Sequence, residues 1–195
     1  NSPETPIFDK SRNLYALHLA RMTKKPQMLL CEGYMDVIAL HQAGFDSAVA
    51  SLGTSLTEEQ ARLLSRHTKT VIVCYDADTA GQSAAQRAID ILKKTGIRVK
   101  ILKIPGAKDP DEFIKTKGAD AFRKLIERSE NDVRYRIEAA REKYDFTEDD
   151  QRILFLREAA GIIALLDSEV EQDVYTTSTA KLAGVTPEAF QQAVK

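Results

Sequence analysis

Gln27–Asp36, QMLLCEGYMD, constrains this chain more than any other stretch. Met28–Cys31 is a short apolar run and reads as a buried strand. It delivers one carboxylate, Glu32, to its carboxyl end, followed at once by Gly33 and an amphipathic run, Tyr34–Ala43. In open α/β sheets, ligands bind in the crevice beyond the carboxyl ends of the strands. A second apolar run, Thr70–Tyr75, leads into Asp76-Ala77-Asp78. The expectation is that these two strand ends lie side by side. Three carboxylates would then share one crevice, an arrangement that is tolerable only with a divalent cation between them.

The rest of the chain fits a sheet of this kind. Asn1–Asp9 holds two prolines and reads as loop, and Leu14–Met22 carries a helix-like period closed by Lys24-Lys25-Pro26. From Gln27 strands and helices alternate. Helix 34–43 ends at Gly44, strand 47–51 runs into Leu52-Gly53-Thr54, and helix 56–67 opens on a possible capping box, Thr57 with Gln60. Helix 80–95 follows the aspartates and stops at Gly96, and strand 98–104 meets Pro105-Gly106. Short strands alternating with helices predict a parallel sheet with right-handed crossovers. After about residue 130 only helical spacing remains, with Phe155, Ile162, Ile163 and Leu166 as a core stripe and Thr186-Pro187 opening the last helix. The predicted fold is thus α/β: a mostly parallel sheet flanked by helices, then a C-terminal helical subdomain. The expected division is 1–26 (loop plus helix), 27–129 (the sheet) and 130–195 (helices).

Charge does not announce a partner: 28 Lys and Arg stand against 29 Asp and Glu. That balance is compatible with a polymerase or nuclease built on an acidic centre. No apolar run reaches the ~18 residues that span a bilayer. The two cysteines, Cys31 and Cys74, each lie in an apolar strand and read as buried reduced thiols of a cytoplasmic protein. The three histidines have no metal-ligand spacing. A first residue of Asn inside a Pro-rich loop suggests a piece of a longer protein.

The acids carry the chemistry. Asp36 falls about one helical turn after Glu32, roughly on its side. Asp76 and Asp78 are two apart, so extended backbone sends both side chains the same way. Such an Asp-x-Asp suits Mg²⁺, which takes oxygen ligands and keeps waters for substrate phosphates, and two such ions would clamp an in-line phosphoryl transfer. The plainer reading is that Asp78 caps the following helix. Asp109, Pro110 and Glu112 also read as a helix start, with Asp109 as N-cap. Lys10, Arg12 and Asn13 read either as a phosphate grip or as a solvated segment, and Lys108 offers one further charge.

Five stretches, NSPETPIFDKSRNLY (1–15), EGYMDVIALHQAGF (32–45), ASLGTSLT (50–57), YDADTAGQSAA (75–85) and PGAKDPDEFI (105–114), go further. Glu32-Gly33 and Asp76-x-Asp78 resemble a TOPRIM domain, and together the stretches are similar to the RNA polymerase domain of the DnaG-type bacterial replicative primases. The resemblance implies a DNA-dependent RNA polymerase that makes short RNA primers on single-stranded DNA for replication, from ribonucleoside triphosphates, with Mg²⁺ or Mn²⁺ as cofactor. It implies Glu32, Asp76 and Asp78 as metal-binding catalytic acids and Asp36, Asp109 and Asp111 as further acids at the same centre. Lys10 would be a basic catalytic residue, and Lys10, Arg12, Asn13 and Lys108 would hold nucleotide. It also implies departures: no zinc-binding set here, and contact with the replicative helicase through a domain absent from this chain. The piece alone is expected to prime weakly or not at all. A TOPRIM nuclease and a non-catalytic TOPRIM nucleic-acid-binding module are the competing readings.

Overall fold

The computed structural model describes residues 5, 8–52, 55–166 and 168–194. The Asn1–Asp9 loop and the Leu52-Gly53-Thr54 turn therefore lie partly outside the described residues. The chain divides into two compact units, 1–130 and 131–195.

The first unit is built on four parallel strands. They are β1 (Met28–Cys31), β2 (Ala48–Ala50), β3 (Thr70–Cys74) and β4 (Arg98–Ile101), in the order β2-β1-β3-β4. A two-residue strand, β5 (Glu130–Asn131), falls at the junction of the units. β1 and β3 are neighbours, with Cys31 opposite Cys74. Every residue of β1 is buried, as a strand covered on both faces requires. Both cysteines are fully buried, and burial beside Cys74 pushes the Cys31 thiol well up.

Helices α2 (Tyr34–Gln42), α3 (Glu58–Ser65), α4 (Thr79–Lys93), α5 (Pro110–Lys117) and α6 (Ala119–Glu127) complete the unit. Their ends follow local chemistry. Thr57 and Gln60 form a reciprocal capping box on α3, and Asp109 caps α5 with Pro110 in its first turn. Phe122 is fully buried and packs edge-on against Phe45, under the β1 face that carries Leu29 and Cys31.

One expected helix shrinks. Leu14–Met22 is helical only over α1 (Leu17–Ala20). Ala16 takes a left-handed φ of 59°, and Tyr15 pairs antiparallel with Ala50, its N–H donating to the Ala50 carbonyl at 2.8 Å. The segment covers the edge of β2 instead of coiling, which removes an exposed sheet edge. The expected strand 98–104 ends at Ile101, although Leu102 N–H still donates to Val73 O at 2.9 Å.

The second unit is helical: α7 (Asp132–Arg141), α8 (Asp149–Ala164), α9 (Glu169–Ala183) and α10 (Pro187–Val194). Phe155 and Ile163 are fully buried in its core, with Ile162 and Leu166 packed at the margin. No helix among the described residues is long and apolar enough to cross a membrane.

Candidate active site

The carboxyl ends of β1 and β3 set the site. Because the two strands are adjacent and parallel, Glu32 and the Asp76-Ala77-Asp78 turn leave the sheet at the same edge. Glu32 Oε1 accepts from the Asp76 N–H at 3.2 Å. Burial raises the Glu32 pKa above the usual carboxylate value, and the charges of Asp76 and Asp78 add to the rise. Asp76 is raised in turn by burial and then by Asp109 and Asp78.

Asp36 is the most perturbed carboxyl of the group. It sits in the first turn of α2, only 7% exposed, and its pKa is pushed up to about 6. Burial is the main cause, followed by the charge of Asp109. The backbone N–H groups of Asp111 and Gly33 donate to Asp36 and partly offset the rise. Asp109 reaches this edge because the Ala77 N–H donates to Lys108 O at 3.2 Å, tying the two acidic loops together.

Five of the six candidate acids therefore act on one another: Glu32, Asp36, Asp76, Asp78 and Asp109. Asp111 is held by an ion pair with Lys115 at 2.6 Å. Asp78 and Asp109 also do the plainer job. Asp78 Oδ1 accepts from Gly81 N–H at 2.7 Å and caps α4, and Asp109 Oδ1 accepts from Glu112 N–H at 2.8 Å. Glu112 turns its own carboxylate to the Lys108 N–H, not to the cap residue.

This donor set suits a hard divalent cation: oxygen ligands only, and charges whose repulsion a cation would relieve. Among the described residues, no group of three or more His, Cys, Asp or Glu is already gathered to hold a metal ion. Each carboxylate instead takes the nearest N–H or cation, as the bonds above show. Gly81 leaves the room between them. A Cβ there would lie 2.3 Å from Asp76 O and 2.9 Å from Glu32 Oε1.

The basic candidates stand apart. Lys10–Arg12 form a single 3-10 turn, not the mouth of a helix. They belong to the same sheet edge through Tyr15, which pairs at the last residue of β2. Fully buried Gln60 fixes them: its amide donates to Lys10 O at 2.9 Å and to Asn13 O at 2.8 Å. Asn13 Nδ2 donates to Asp9 O at 2.7 Å. The cations that act directly on the acids are Lys108 on Asp76 and Arg87 of α4 on Glu32. Arg87 and the bracing role of Gln60 escaped the sequence reading. Nothing in local spacing marks Arg87, two turns along α4 from Asp78. Gln60 was legible only as part of a capping box.

With this geometry in hand, comparison with known proteins is informative. Residues 29–114 match the Toprim-like family model, and residues 133–188 match the model of the DnaB-helicase binding domain of primase. The second match corrects the expectation that helicase contact lies in a domain absent from this chain. Helical spacing alone held no motif that could have revealed it. The chain is 44% identical over 191 residues to a DNA primase of Clostridium acetobutylicum, covering 97% of this chain and 32% of that protein. Among solved structures it is similar to a DnaG primase catalytic domain bound to ssDNA, with 34% identity and a TM-score of 0.77 over 95% of this chain and 60% of that one. It is also similar to the RNA polymerase domain of Mycobacterium tuberculosis primase DnaG in complex with double-stranded DNA, with 30% identity and a TM-score of 0.81 over 94% and 60%. The chain thus spans about a third of the length of the curated relatives it matches.

Proposed function

The chain belongs to the DnaG-type bacterial DNA primases, and from that premise we propose that it forms the metal- and nucleotide-binding part of a primer-synthesising RNA polymerase. The reaction is nucleotidyl transfer on a single-stranded DNA template in the bacterial cytoplasm, joining ribonucleotides from their triphosphates with release of pyrophosphate. The observation that carries this reading is the mutual charge of Glu32, Asp76 and Asp78 at the ends of adjacent parallel strands.

In this reading Glu32, Asp76 and Asp78 hold Mg²⁺ or Mn²⁺, with Asp36, Asp109 and Asp111 as further acids around it. The bound ion supplies charge neutralisation for the triphosphate and for the oxygens of the displacement. The chain's own residues bind and orient. Lys10, Arg12 and Asn13, braced by Gln60, and Lys108 beside Asp76 grip the triphosphate, with Lys10 acting at the reacting phosphate. Residues 27–129 carry this chemistry, residues 1–26 the basic grip, and residues 130–195 serve attachment to the replicative helicase, as the second family match suggests. By itself the chain primes weakly.

The test is a calorimetric titration of Mn²⁺, with and without nucleoside triphosphate, into the native chain and into Asp76→Asn/Asp78→Asn. The native chain should bind metal and the double variant should not, with circular dichroism unchanged. Equal binding by both would refute the site. Release of nucleotides from labelled single-stranded DNA in Mn²⁺ would favour nuclease chemistry instead.

A further inference from the structure

We infer that the outward face of α8 is a docking surface for a replicative helicase of the DnaB type. The inference rests on the primase reading and adds the surface to it.

α8 is the centre of its unit, with α7, α9 and α10 all packed against it through Phe155, Ala159, Ala160 and Ile163. A helix so well partnered ordinarily turns charge to the solvent on its remaining face. α8 does not. Leu154, Gly161 and Leu165 follow at i, i+7 and i+11, which places them on one line along the helix. Leu154 is 42% exposed, Leu165 at the end of α8 is 79% exposed, and Ile153 flanks the line at 47%. The single acid on the line, Glu158, is drawn aside by Lys143 Nζ at 2.6 Å and by the Tyr144 hydroxyl at 2.9 Å. A Cβ at Gly161 would meet nothing within 4 Å.

The result is a leucine, a notch and a leucine over a length of roughly 16 Å. A partner helix crossing at Gly161 would bring its backbone close and seat its apolar side chains against both leucines. Two facts identify the occupant. The match to the DnaB-helicase binding domain of primase spans residues 133–188 and so contains the whole of α8. The surroundings are also acidic: residues 131–195 hold 13 Asp and Glu against 8 Lys and Arg. The complementary surface is therefore an apolar helix rimmed by Lys or Arg.

The experiment is a binding titration of this chain against the hexameric DnaB-type helicase of the same organism. Leu154→Glu/Leu165→Glu should weaken binding more than tenfold, and Gly161→Leu, which fills the notch without adding charge, should also weaken it. Leu154→Met/Leu165→Met should bind as the native chain does. Val170→Glu/Val174→Glu, on the exposed face of α9, should leave affinity unchanged. Four results would overturn the inference: no binding by the native chain, native affinity in the Glu pair, equal losses in the Met and Glu pairs, or a loss confined to the α9 variant. The primase reading stands or falls separately, on the Mn²⁺ titration.

Discussion

Replacing Gly81 by alanine should damage both the fold and the metal site, although alanine is the better helix former. Gly81 lies in the first turn of α4, and its N–H is the one capped by Asp78. A Cβ there would stand 2.3 Å from the Asp76 carbonyl oxygen, 2.9 Å from the Asp76 carbonyl carbon and 2.9 Å from Glu32 Oε1. Favourable contact begins near 3.5 Å, so the gap must open by about 1 Å. Glu32 could swing away, but the Asp76 carbonyl is backbone and moves only with the end of β3. Overpacking of this kind costs about 1–3 kcal/mol, and the helix-propensity gain of Ala over Gly returns at most about 1 kcal/mol. The expected net loss is about 1–2 kcal/mol. The same shift pushes Asp76 away from Glu32, so Mn²⁺ affinity should fall more than tenfold. Amide hydrogen exchange on β1, β3 and α4 reads the stability of the first unit alone, and calorimetry reads the metal. Gly161→Ala is the control: a mid-helix glycine with open space around its Cβ position, expected to stabilise α8 by about 0.5–1 kcal/mol. Native stability and unchanged Mn²⁺ affinity in Gly81→Ala would refute the close approach on which the site's geometry is argued.

Two further substitutions separate roles that share one side chain. Asp78→Ser keeps an N-cap oxygen and should hold the stability of α4 within about 0.5 kcal/mol while weakening Mn²⁺ binding, whereas Asp78→Ala should lose both the metal and about 1 kcal/mol. Equal Mn²⁺ affinity in Asp78→Ser and the native chain would reduce Asp78 to a cap. Asp36 gives a pH signature. Its pKa is raised from 3.8 to about 6, so its contribution to stability is fully present below pH 4 and is lost as pH rises through 6. In chelator-treated buffer the first unit should therefore be more stable at pH 5 than at pH 7.5. Asp36→Asn should flatten that slope and gain about 1–2 kcal/mol at pH 7.5, allowing for solvent at the crevice. A urea series across that range checks it, and a slope unaltered by the substitution would refute the assignment.

Much of the fold was legible because its signals are local. Met28–Cys31 and Thr70–Cys74 are short apolar runs that become buried parallel strands. Asp109-Pro110 and Thr57 with Gln60 open helices by chemistry contained within four residues. The acids at strand ends could be named for the same reason, since alternation of strands and helices fixes which edge of a parallel sheet they leave. Leu14–Met22 misled because its helical period was overruled by a distant partner: Tyr15 pairs with Ala50, and Ala16 turns left-handed to allow it.

The sequence by itself thus determined the elements, their parallel alternation and the identity of the acids. Tertiary structure alone decided what those acids feel. The Ala77–Lys108 bond sets Asp109 beside Asp76 and Asp36, the absent Cβ of Gly81 lets Glu32 meet the Asp76 turn, and Gln60 ties Lys10 and Asn13 to α3. These contacts join residues up to 50 positions apart. Periodicity and capping act within a turn or two of chain, whereas charge and close packing act through space, so only the folded chain could show which carboxylates share one field.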